Sequence, residues 1–316
     1  MGKYLLDNVH AQFPQAKLGL VVSSRGGMIR DLLAGSPHIE VIEASRRAPR
    51  ALWRLWRQWR HSDLVVTQYA GKPGGRFSLA SKAMARLLAS RGGLVGFEDA
   101  SFLNAYLYDY VVLAPHAHSP AQDERLALRA AGYEVPVPYP MLANVHAGAA
   151  AAFGLQEGGY ILVHIFSGST KRGLHPDRRR ALVAALSGLP YAVILTGTKA
   201  ERAEAEDAAQ GNKVIAGEAS LQETIELVAH AAAVVSLDTG VAHIAAQLRK
   251  PVAVVSTCMG LWWWNEEQYG KDATYKVFTN PIHAIPEHEL VDFPACQNDI
   301  DMNKVAGTVR GLIEKK

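Results

Sequence analysis

The feature that most constrains the fold is an alternation, along the whole chain, of short apolar runs with longer patterns of helical spacing. Turn residues bound the runs, and the stretches between them are about 10–15 residues long. Strands separated by helices of this length pair in parallel, as repeated βαβ units. The pattern therefore predicts an α/β chain with doubly wound sheets. The predicted strands are 18–23, 41–43, 64–68, 94–96, 110–113, 160–165, 191–196, 213–215, 233–237 and 252–256.

The predicted helices alternate with these strands, and the length of the chain divides them between two domains. The 316 residues are enough for about two domains of 100–200 residues each. Three prolines in VPVPYPM, residues 135–141, predict the linker. We expect an α/β domain over 1–140, a second over 141–300, and a final helix over 301–316 that packs back on the first domain. The helices are predicted at 4–12, 26–34, 47–61, 77–91, 119–132, 176–187, 199–210, 220–231, 240–249 and 302–315.

Composition excludes several classes of protein. Apolar residues make up 49% of the chain and charged residues 20%, which excludes a disordered or collagen-like chain. No apolar run approaches the ~18 residues of a membrane-spanning helix, and the N-terminus lacks the layout of a signal peptide. The two cysteines, Cys258 and Cys296, make neither a disulfide framework nor a zinc site. We therefore expect a soluble cytoplasmic protein.

The net charge of +3 conceals an asymmetry between the two halves. Residues 1–150 hold 17 Lys and Arg against 11 Asp and Glu, a formal charge of +6, and the remainder of the chain carries −3. A basic half favours an anionic partner. No nucleic-acid-binding motif accompanies the charge, so nucleic acid is not expected as a partner. A phosphorylated sugar, a nucleotide or an anionic membrane surface remains open.

A basic, tryptophan-rich segment at 46–61, RRAPRALWRLWRQWRH, has two interpretations. It carries an apolar stripe at helical spacing, formed by Leu52, Leu55, Trp56 and Trp59. Such a stripe is typical of a helix that packs on a sheet with its arginines in solvent. A basic helix that contains tryptophan is also typical of a peripheral contact with an anionic membrane. Both can hold, because Trp53 and the arginines can face lipid while the stripe is packed.

The segment at 232–256 carries the clearest sign of a binding site. It reads as a buried strand, a tight turn at Asp238-Thr239-Gly240, a helix from Val241, and a further strand. Such a turn points backbone N–H groups outward at the positive end of a helix, which suits a phosphate, and His243 adds a donor. The alternative is that Asp238 or Thr239 merely caps the helix.

The motif D-T-G-x-x-H-x-A-A at 238–246 resembles the signature of the glycosyltransferase family 9 heptosyltransferases. Three further segments resemble the family: HIFSGSTKRGLHP at 164–176, TGTKAERAEAE at 196–206, and the sequence of 220–240 that leads into the signature. The likeness is weaker in the first half. The resemblance implies a GT-B fold, with two doubly wound, Rossmann-like domains facing a cleft. It also implies an inverting transfer of heptose from ADP-heptose onto a lipopolysaccharide core or related glycan, with no metal and no cofactor.

The resemblance assigns roles to individual residues. Lys171 would neutralise the diphosphate of the donor, which makes it a catalytic candidate, and Ser169 and Thr170 would offer hydroxyls to the same phosphates. Glu201 would bind the ribose hydroxyls, although an acid in the first turn of a helix is common on structural grounds alone. The remaining residues of the nucleotide-sugar site would be Asp238, Thr239, Gly240 and His243. Lys72 and Arg76, after a predicted strand, would bind an anionic glycolipid or glycan acceptor.

The catalytic base is where the sequence departs from the family pattern. Family members begin with a strand and a Gly-Asp pair, whereas this sequence begins almost directly in a helix. We therefore expect the first domain to lack its first strand, and the aspartate position to fall just before Met1. Asp7 lies further along the same helix and could replace the base only if the acceptor moved; Asp99, His116 and His118 are further candidates. The alternative function is a catalytically degenerate protein of the same fold that binds a nucleotide-sugar or a glycan.

Overall fold

A computed structural model describes residues 2–45, 47–67, 78–99, 101–113, 118–167, 173–256, 263–279 and 300–315. The chain divides into two compact units. Unit 1 is Met1–Pro140 with Trp262–Gly270, and unit 2 is Met141–Leu261 with Lys271–Lys316. Every strand pairing between named strands is parallel, which confirms the α/β prediction. No helix among the described residues is long and apolar enough to cross a membrane.

Unit 1 contains five strands and seven helices among its described residues. The strands are β1 (Leu18–Val22), β2 (Ile39–Glu43), β3 (Val65–Val66), β4 (Leu94–Phe97) and β5 (Tyr110–Val112). The helices are α1 (Lys3–Gln12), α2 (Gly26–Leu32), α3 (Pro49–Trp59), α4 (Leu79–Leu88), α5 (Asn104–Leu107), α6 (Pro120–Ala130) and, from the returning segment, α12 (Glu266–Tyr269).

The strands of unit 1 form two parallel sheets within the part of the chain that the structure describes. One has the order β1-β2 and the other the order β3-β4-β5. A doubly wound sheet of order 3-2-1-4-5-6 leaves these two groups when its central first strand is missing. The expectation that the first domain lacks its first strand stays a prediction.

Two apolar clusters hold the sheets of unit 1 between layers of helices. On one side, Leu5 of α1 and Leu128 of α6 pack with Leu18 of β1 and Val95 of β4. A second cluster joins the buried residues of α3 and α4 to β2 and β3; its members include Ala44, Leu55, Leu88, Ile42, Trp59 and Val65. The apolar stripe predicted at 46–61 therefore packs inward.

Unit 2 has six strands and six α-helices in its described ranges. The strands are β6 (Tyr160–His164), β7 (Ala192–Leu195), β8 (Lys213–Val214), β9 (Ala233–Leu237), β10 (Val252–Val255) and β11 (Tyr275–Phe278). The helices are α7 (Ala149–Ala152), α8 (Pro176–Ser187), α9 (Arg202–Ala209), α10 (Leu221–His230), α11 (Gly240–Gln247) and α13 (Met302–Glu314), with a 3-10 turn at Lys199–Glu201.

The sheet of unit 2 has the order β11-β10-β9-β6-β7-β8. Numbered along the chain within this unit, that order is 3-2-1-4-5-6 read from the β8 edge, which is the doubly wound arrangement. Strands β6, β9 and β10 are almost wholly buried, because helices cover both faces of the sheet. β11 was not predicted, since it follows a long segment without a clear apolar pattern.

Two segments belong to a different unit from the one expected from the sequence. The final helix, α13, packs in unit 2: Val305 and Val309 belong to the large apolar cluster of that unit and are fully buried. The expectation that it packs on the first domain was wrong, because its apolar face completes the core beside α8. The segment Trp262–Gly270 belongs to unit 1, where Gln268 accepts a hydrogen bond from the Ala121 backbone N–H at 2.9 Å.

Candidate active site

The sheet of unit 2 has its topological switch point between β6 and β9. Connections leave these two adjacent central strands in opposite directions, so their carboxyl ends border a crevice, the usual ligand position in open α/β sheets. Polar side chains stand at or just beyond the carboxyl ends of four neighbouring strands. They are His164 at the end of β6, Thr196 after β7, Ser236 in β9 and Ser256 after β10. Interior strands that are otherwise apolar thus end in hydrogen-bonding groups at one edge.

The turn at Asp238-Thr239-Gly240 joins β9 to α11 at this edge. Thr239 has an extended backbone and is the N-cap of α11. The first N–H groups of a helix have no acceptor inside the helix, and they carry the positive end of its dipole. A Cβ atom added at Gly240 would meet no described heavy atom within 4 Å. The first turn of α11 therefore presents backbone donors and an open glycine surface, which suits an oxyanion.

The Thr239 hydroxyl connects the two central strands. Its Oγ1 lies 3.2 Å from Oγ of Ser236 and 3.3 Å from Nδ1 of His164. Ser236 donates its own hydroxyl proton to the Leu237 carbonyl at 2.8 Å. The end of β6 and the start of α11 are thus joined through one hydroxyl.

Both histidines of this region are held neutral by burial. Burial lowers the pKa of His164, and the nearby carboxylate of Glu201 only partly opposes the shift. Burial also lowers the pKa of His243, although the charge of Asp238 acts in the other direction. His243 Nε2 lies 3.4 Å from an Asp238 carboxylate oxygen. At neutral pH each imidazole therefore acts as a dipolar hydrogen-bonding group and adds no full charge.

Glu201 lies at the end of the 3-10 turn after β7. Its Oε2 accepts hydrogen bonds from the Thr198 backbone N–H at 2.7 Å and from the Thr198 hydroxyl at 2.9 Å, which forms a capping box. Glu201 therefore has the helix-capping role that an acid in a first turn commonly has. A contact of Glu201 with ribose remains a prediction. Oε1, the carboxylate oxygen that the capping box does not use, would make it.

Several predicted site residues lie outside the described residues. They are Ser169, Thr170 and Lys171 of the donor site, Lys72 and Arg76 of the acceptor site, and His116. The first three follow β6 in the chain, whose carboxyl end lies at the switch point.

Asp7 lies away from the ligand-binding edge of unit 1. It forms an ion pair with Lys3, and its other carboxylate oxygen lies 3.1 Å from Nε2 of His38, which directly precedes β2. It therefore lies toward the amino-terminal ends of the strands, whereas ligands bind beyond the carboxyl ends. Asp7 is therefore badly placed to act as a base, because its carboxylate is paired with Lys3 and lies at the amino-terminal edge of the sheet.

Asp99 is bound in a buried network after β4. Its carboxylate accepts from the Lys82 ammonium at 2.7 Å and from the Asn104 amide at 3.0 Å. Burial alone would raise the pKa of Asp99, but these donors and the Lys82 charge lower it. A carboxylate stabilised in this way is a poor proton acceptor, so its role is structural.

His118 differs from these two carboxylates. It follows β5, and its Nδ1 lies 3.4 Å from a carboxylate oxygen of Asp123, which is buried in the first turn of α6. Burial raises the pKa of Asp123 to about 6. No hydrogen bond joins these two atoms, so the structure places an imidazole beside a buried carboxylate and leaves His118 as a candidate base.

His164 and Ser236 were not predicted as site residues from the sequence. His164 is the first residue of the quoted segment 164–176, and a histidine at the end of an otherwise apolar strand was the available signal. The pairing of β6 with β9, which brings His164 to Thr239, cannot be read from either segment alone.

Comparison with known proteins identifies relatives of this chain. The family model of glycosyltransferase family 9 (heptosyltransferase) matches residues 79–255, more than half of the chain. None of the curated proteins that were compared matches it. Among solved structures, ADP-heptose lps heptosyltransferase II of E. coli matches with a TM-score of 0.71 and 18% identity, over 99% of this chain and 94% of that one.

Two further structures are similar over their full length. A family 9 glycosyl transferase from Veillonella parvula DSM 2008 has a TM-score of 0.75 and 13% identity, with 100% of this chain and 93% of that chain covered. E. coli heptosyltransferase WaaC with ADP has a TM-score of 0.69 and 18% identity, with coverages of 98% and 94%. At these identities the likeness shows the fold, which is that of GT-B glycosyltransferases.

Proposed function

The chain belongs to glycosyltransferase family 9, and from that membership we propose that it transfers heptose from ADP-heptose to a lipopolysaccharide core or related glycan. The observation that carries the proposal is the Thr239 turn at the switch point of unit 2, with its helix N-terminus and open glycine. Solved structures of the same fold include a heptosyltransferase with bound ADP. A nucleoside diphosphate is the anion that this edge of the sheet suits best.

The donor diphosphate, in this proposal, lies against the first turn of α11. Backbone N–H groups from Gly240 onward and the Thr239 hydroxyl donate to its oxygens, and Lys171 supplies a full positive charge. Ser169 and Thr170 offer further hydroxyls, and the second oxygen of Glu201 accepts from the ribose. Negative charge grows on the diphosphate as the sugar leaves, so donors fixed in advance stabilise the transition state more than the ground state.

Inversion requires one displacement, in which an acceptor hydroxyl attacks the anomeric carbon as ADP departs. The hydroxyl must lose its proton to a base, and we assign His118, which lies beside the buried Asp123, as the candidate on unit 1. Lys72 and Arg76 are proposed to bind anionic groups of the acceptor. Since a lipopolysaccharide-core acceptor carries acyl chains, we place the enzyme at the inner face of the cytoplasmic membrane.

A degenerate binding protein of the same fold is the alternative that the sequence left open. Nothing in the family match or in the described donor edge favours it. The two functions differ in one observable: the enzyme releases ADP when an acceptor is present, whereas a binding protein does not.

The first test is calorimetry of ADP and ADP-heptose binding to the Thr239→Val variant. This change keeps the shape of the side chain and removes the hydroxyl that lies between His164 and Ser236. We expect affinity to fall by about tenfold or more, since a hydrogen bond to a charged group contributes about 1.5–3 kcal/mol.

The matched control is Thr224→Val, which removes a hydroxyl bonded to the Ser220 carbonyl on α10 of the same unit. It should bind ADP as the wild type does. No binding of either nucleotide to the wild type, or equal affinity in both variants, would contradict the proposed donor site.

A further inference from the structure

The outward face of α3 is strongly basic and carries an exposed tryptophan. Leu55 is buried, and Leu52, Trp56 and Trp59 are partly buried against the core, so the opposite side of the helix faces solvent. Trp53 is 54% exposed on that side. The exposed arginines of the segment are Arg47, Arg50, Arg54, Arg57 and Arg60. The sequence contains no Asp or Glu between Glu43 and Asp63 to neutralise them.

The tryptophan and arginine side chains of this face are already associated. The Arg57 guanidinium lies 5.4 Å from the ring centroid of Trp53, and the Arg60 guanidinium lies 5.0 Å from that of Trp56. Arginine over an indole ring combines a positive charge with an amphipathic ring. This combination suits the level of lipid headgroups, where tryptophan is enriched.

The neighbouring helix α4 exposes an apolar stripe next to this basic face. Leu79 is 58% exposed and Leu87 is 59% exposed, with exposed Ala83 between them at i, i+4, i+8 spacing. The opposite side of α4 buries Ala85 and Leu88. Because Leu88 shares a core cluster with Leu55 of α3, the two helices cover the same side of the sheets, with their outer faces side by side.

Two exposed aromatic side chains lie at α5, which packs on α4: Tyr106 within the helix and Phe102 just before it. Phe102 is 80% exposed and Tyr106 is 81% exposed, four residues apart. Several large exposed apolar side chains on neighbouring elements, beside a basic face, are uncommon on a protein surface without a partner.

We propose that the outer surface of α3, α4 and α5 docks unit 1 onto an anionic lipid bilayer. The arginines of α3 contact lipid phosphates, and Trp53, Leu79, Leu87, Phe102 and Tyr106 enter the headgroup region. The inference deepens the membrane location given in the proposed function by assigning the surface that makes the contact; vesicle binding through this surface does not depend on sugar transfer.

Charge and chemistry favour lipid over other occupants. In a symmetric dimer through this face, the arginines of one copy would oppose those of the other. A nucleic acid would satisfy the arginines but would leave the leucine stripe of α4 unused. An anionic bilayer satisfies both sets at once, through electrostatic attraction and burial of apolar side chains.

The test is co-sedimentation of the full chain with vesicles of phosphatidylcholine, with and without 30% phosphatidylglycerol (about one lipid in three). We expect binding to the anionic vesicles that weakens with salt. The variant Arg50→Gln/Arg54→Gln/Arg57→Gln should lower the partition coefficient on the order of a hundredfold. The variant Leu79→Ser/Leu87→Ser should lower it by about tenfold at every salt concentration.

The matched control removes the same charge elsewhere, through Arg129→Gln/Lys304→Gln/Arg310→Gln, three exposed cations of α6 and α13. It should keep wild-type binding. All substituted side chains are exposed, and circular dichroism checks that each variant folds. The proposal would be overturned if the protein bound equally to vesicles without anionic lipid, or if the control variant lost as much binding as the arginine variant. It would also be overturned if the protein bound RNA or self-associated and did not bind vesicles. Thr239→Val should leave vesicle binding unchanged, which separates this test from that of the donor site.

Discussion

His164 and His243 are both neutral in the folded protein, and both lie beside the turn that we propose holds a diphosphate. Burial lowers the pKa of each imidazole. A neutral His164 with its proton on Nδ1 can donate a hydrogen bond to the Thr239 oxygen, which keeps the two central strands joined and leaves the hydroxyl proton for a ligand oxygen. At this scale the described part of the site is a set of dipoles, and we propose that Lys171 supplies the full positive charge for the ligand.

Neutral buried imidazoles make stability depend on pH. The unfolded chain binds protons at these two positions from about pH 6.5 downward, whereas the folded chain does so only at lower pH. Stability is therefore fully present above pH 6.5 and falls as the pH drops toward the lowered values. Each group contributes up to about 1.4 kcal/mol per pH unit.

We predict that His164→Asn flattens the pH dependence of urea unfolding between pH 7.5 and 5. The exposed His175, which caps α8, supplies the control His175→Asn, and that variant should keep the wild-type slope. The explanation fails if the His164 variant retains the full slope while remaining folded.

The sequence predicts the element that carries the site more closely than its surroundings. The strand at 233–237 and the helix from Gly240 lie where the apolar run and the tight turn place them, because both signals are local. The packing of α13 was not predictable in the same way. An amphipathic helix reveals which face it buries, but its partner depends on distant residues such as those of α8.

At the scale of the element, a substitution at Gly240 should change ADP affinity without lowering stability. A Cβ at this position would meet no described atom, and alanine favours a helix more than glycine. We expect Gly240→Ala to keep or slightly raise the melting temperature, while ADP affinity falls by about tenfold because the methyl group obstructs the diphosphate.

Gly307→Ala in α13 is the matched control, since a Cβ there is equally unobstructed. It should leave ADP affinity unchanged. A Gly240→Ala variant that binds ADP normally would show that the ligand does not approach this turn closely.

The molecule as a whole combines two units with different surface chemistry. The basic half of the sequence contains the surface of α3 that we propose faces lipid, and the acidic half contains the edge of the sheet that we propose binds the donor. The charge asymmetry predicted an anionic partner for the first half but not its kind. The exposed leucines of α4 are what indicate lipid, and their exposure depends on tertiary packing that the sequence does not show.

The central claim is that this chain transfers a sugar from a nucleotide donor bound at the Thr239 turn. The most direct measurement is acceptor-dependent release of ADP from ADP-heptose, with a lipopolysaccharide-core glycolipid lacking heptose as acceptor and mass spectrometry of the product. We predict that the wild type releases ADP and adds one heptose, that Thr239→Val slows release by about a hundredfold, and that Thr224→Val does not. Tight ADP-heptose binding with no acceptor-dependent release and no glycosylated product would contradict the account.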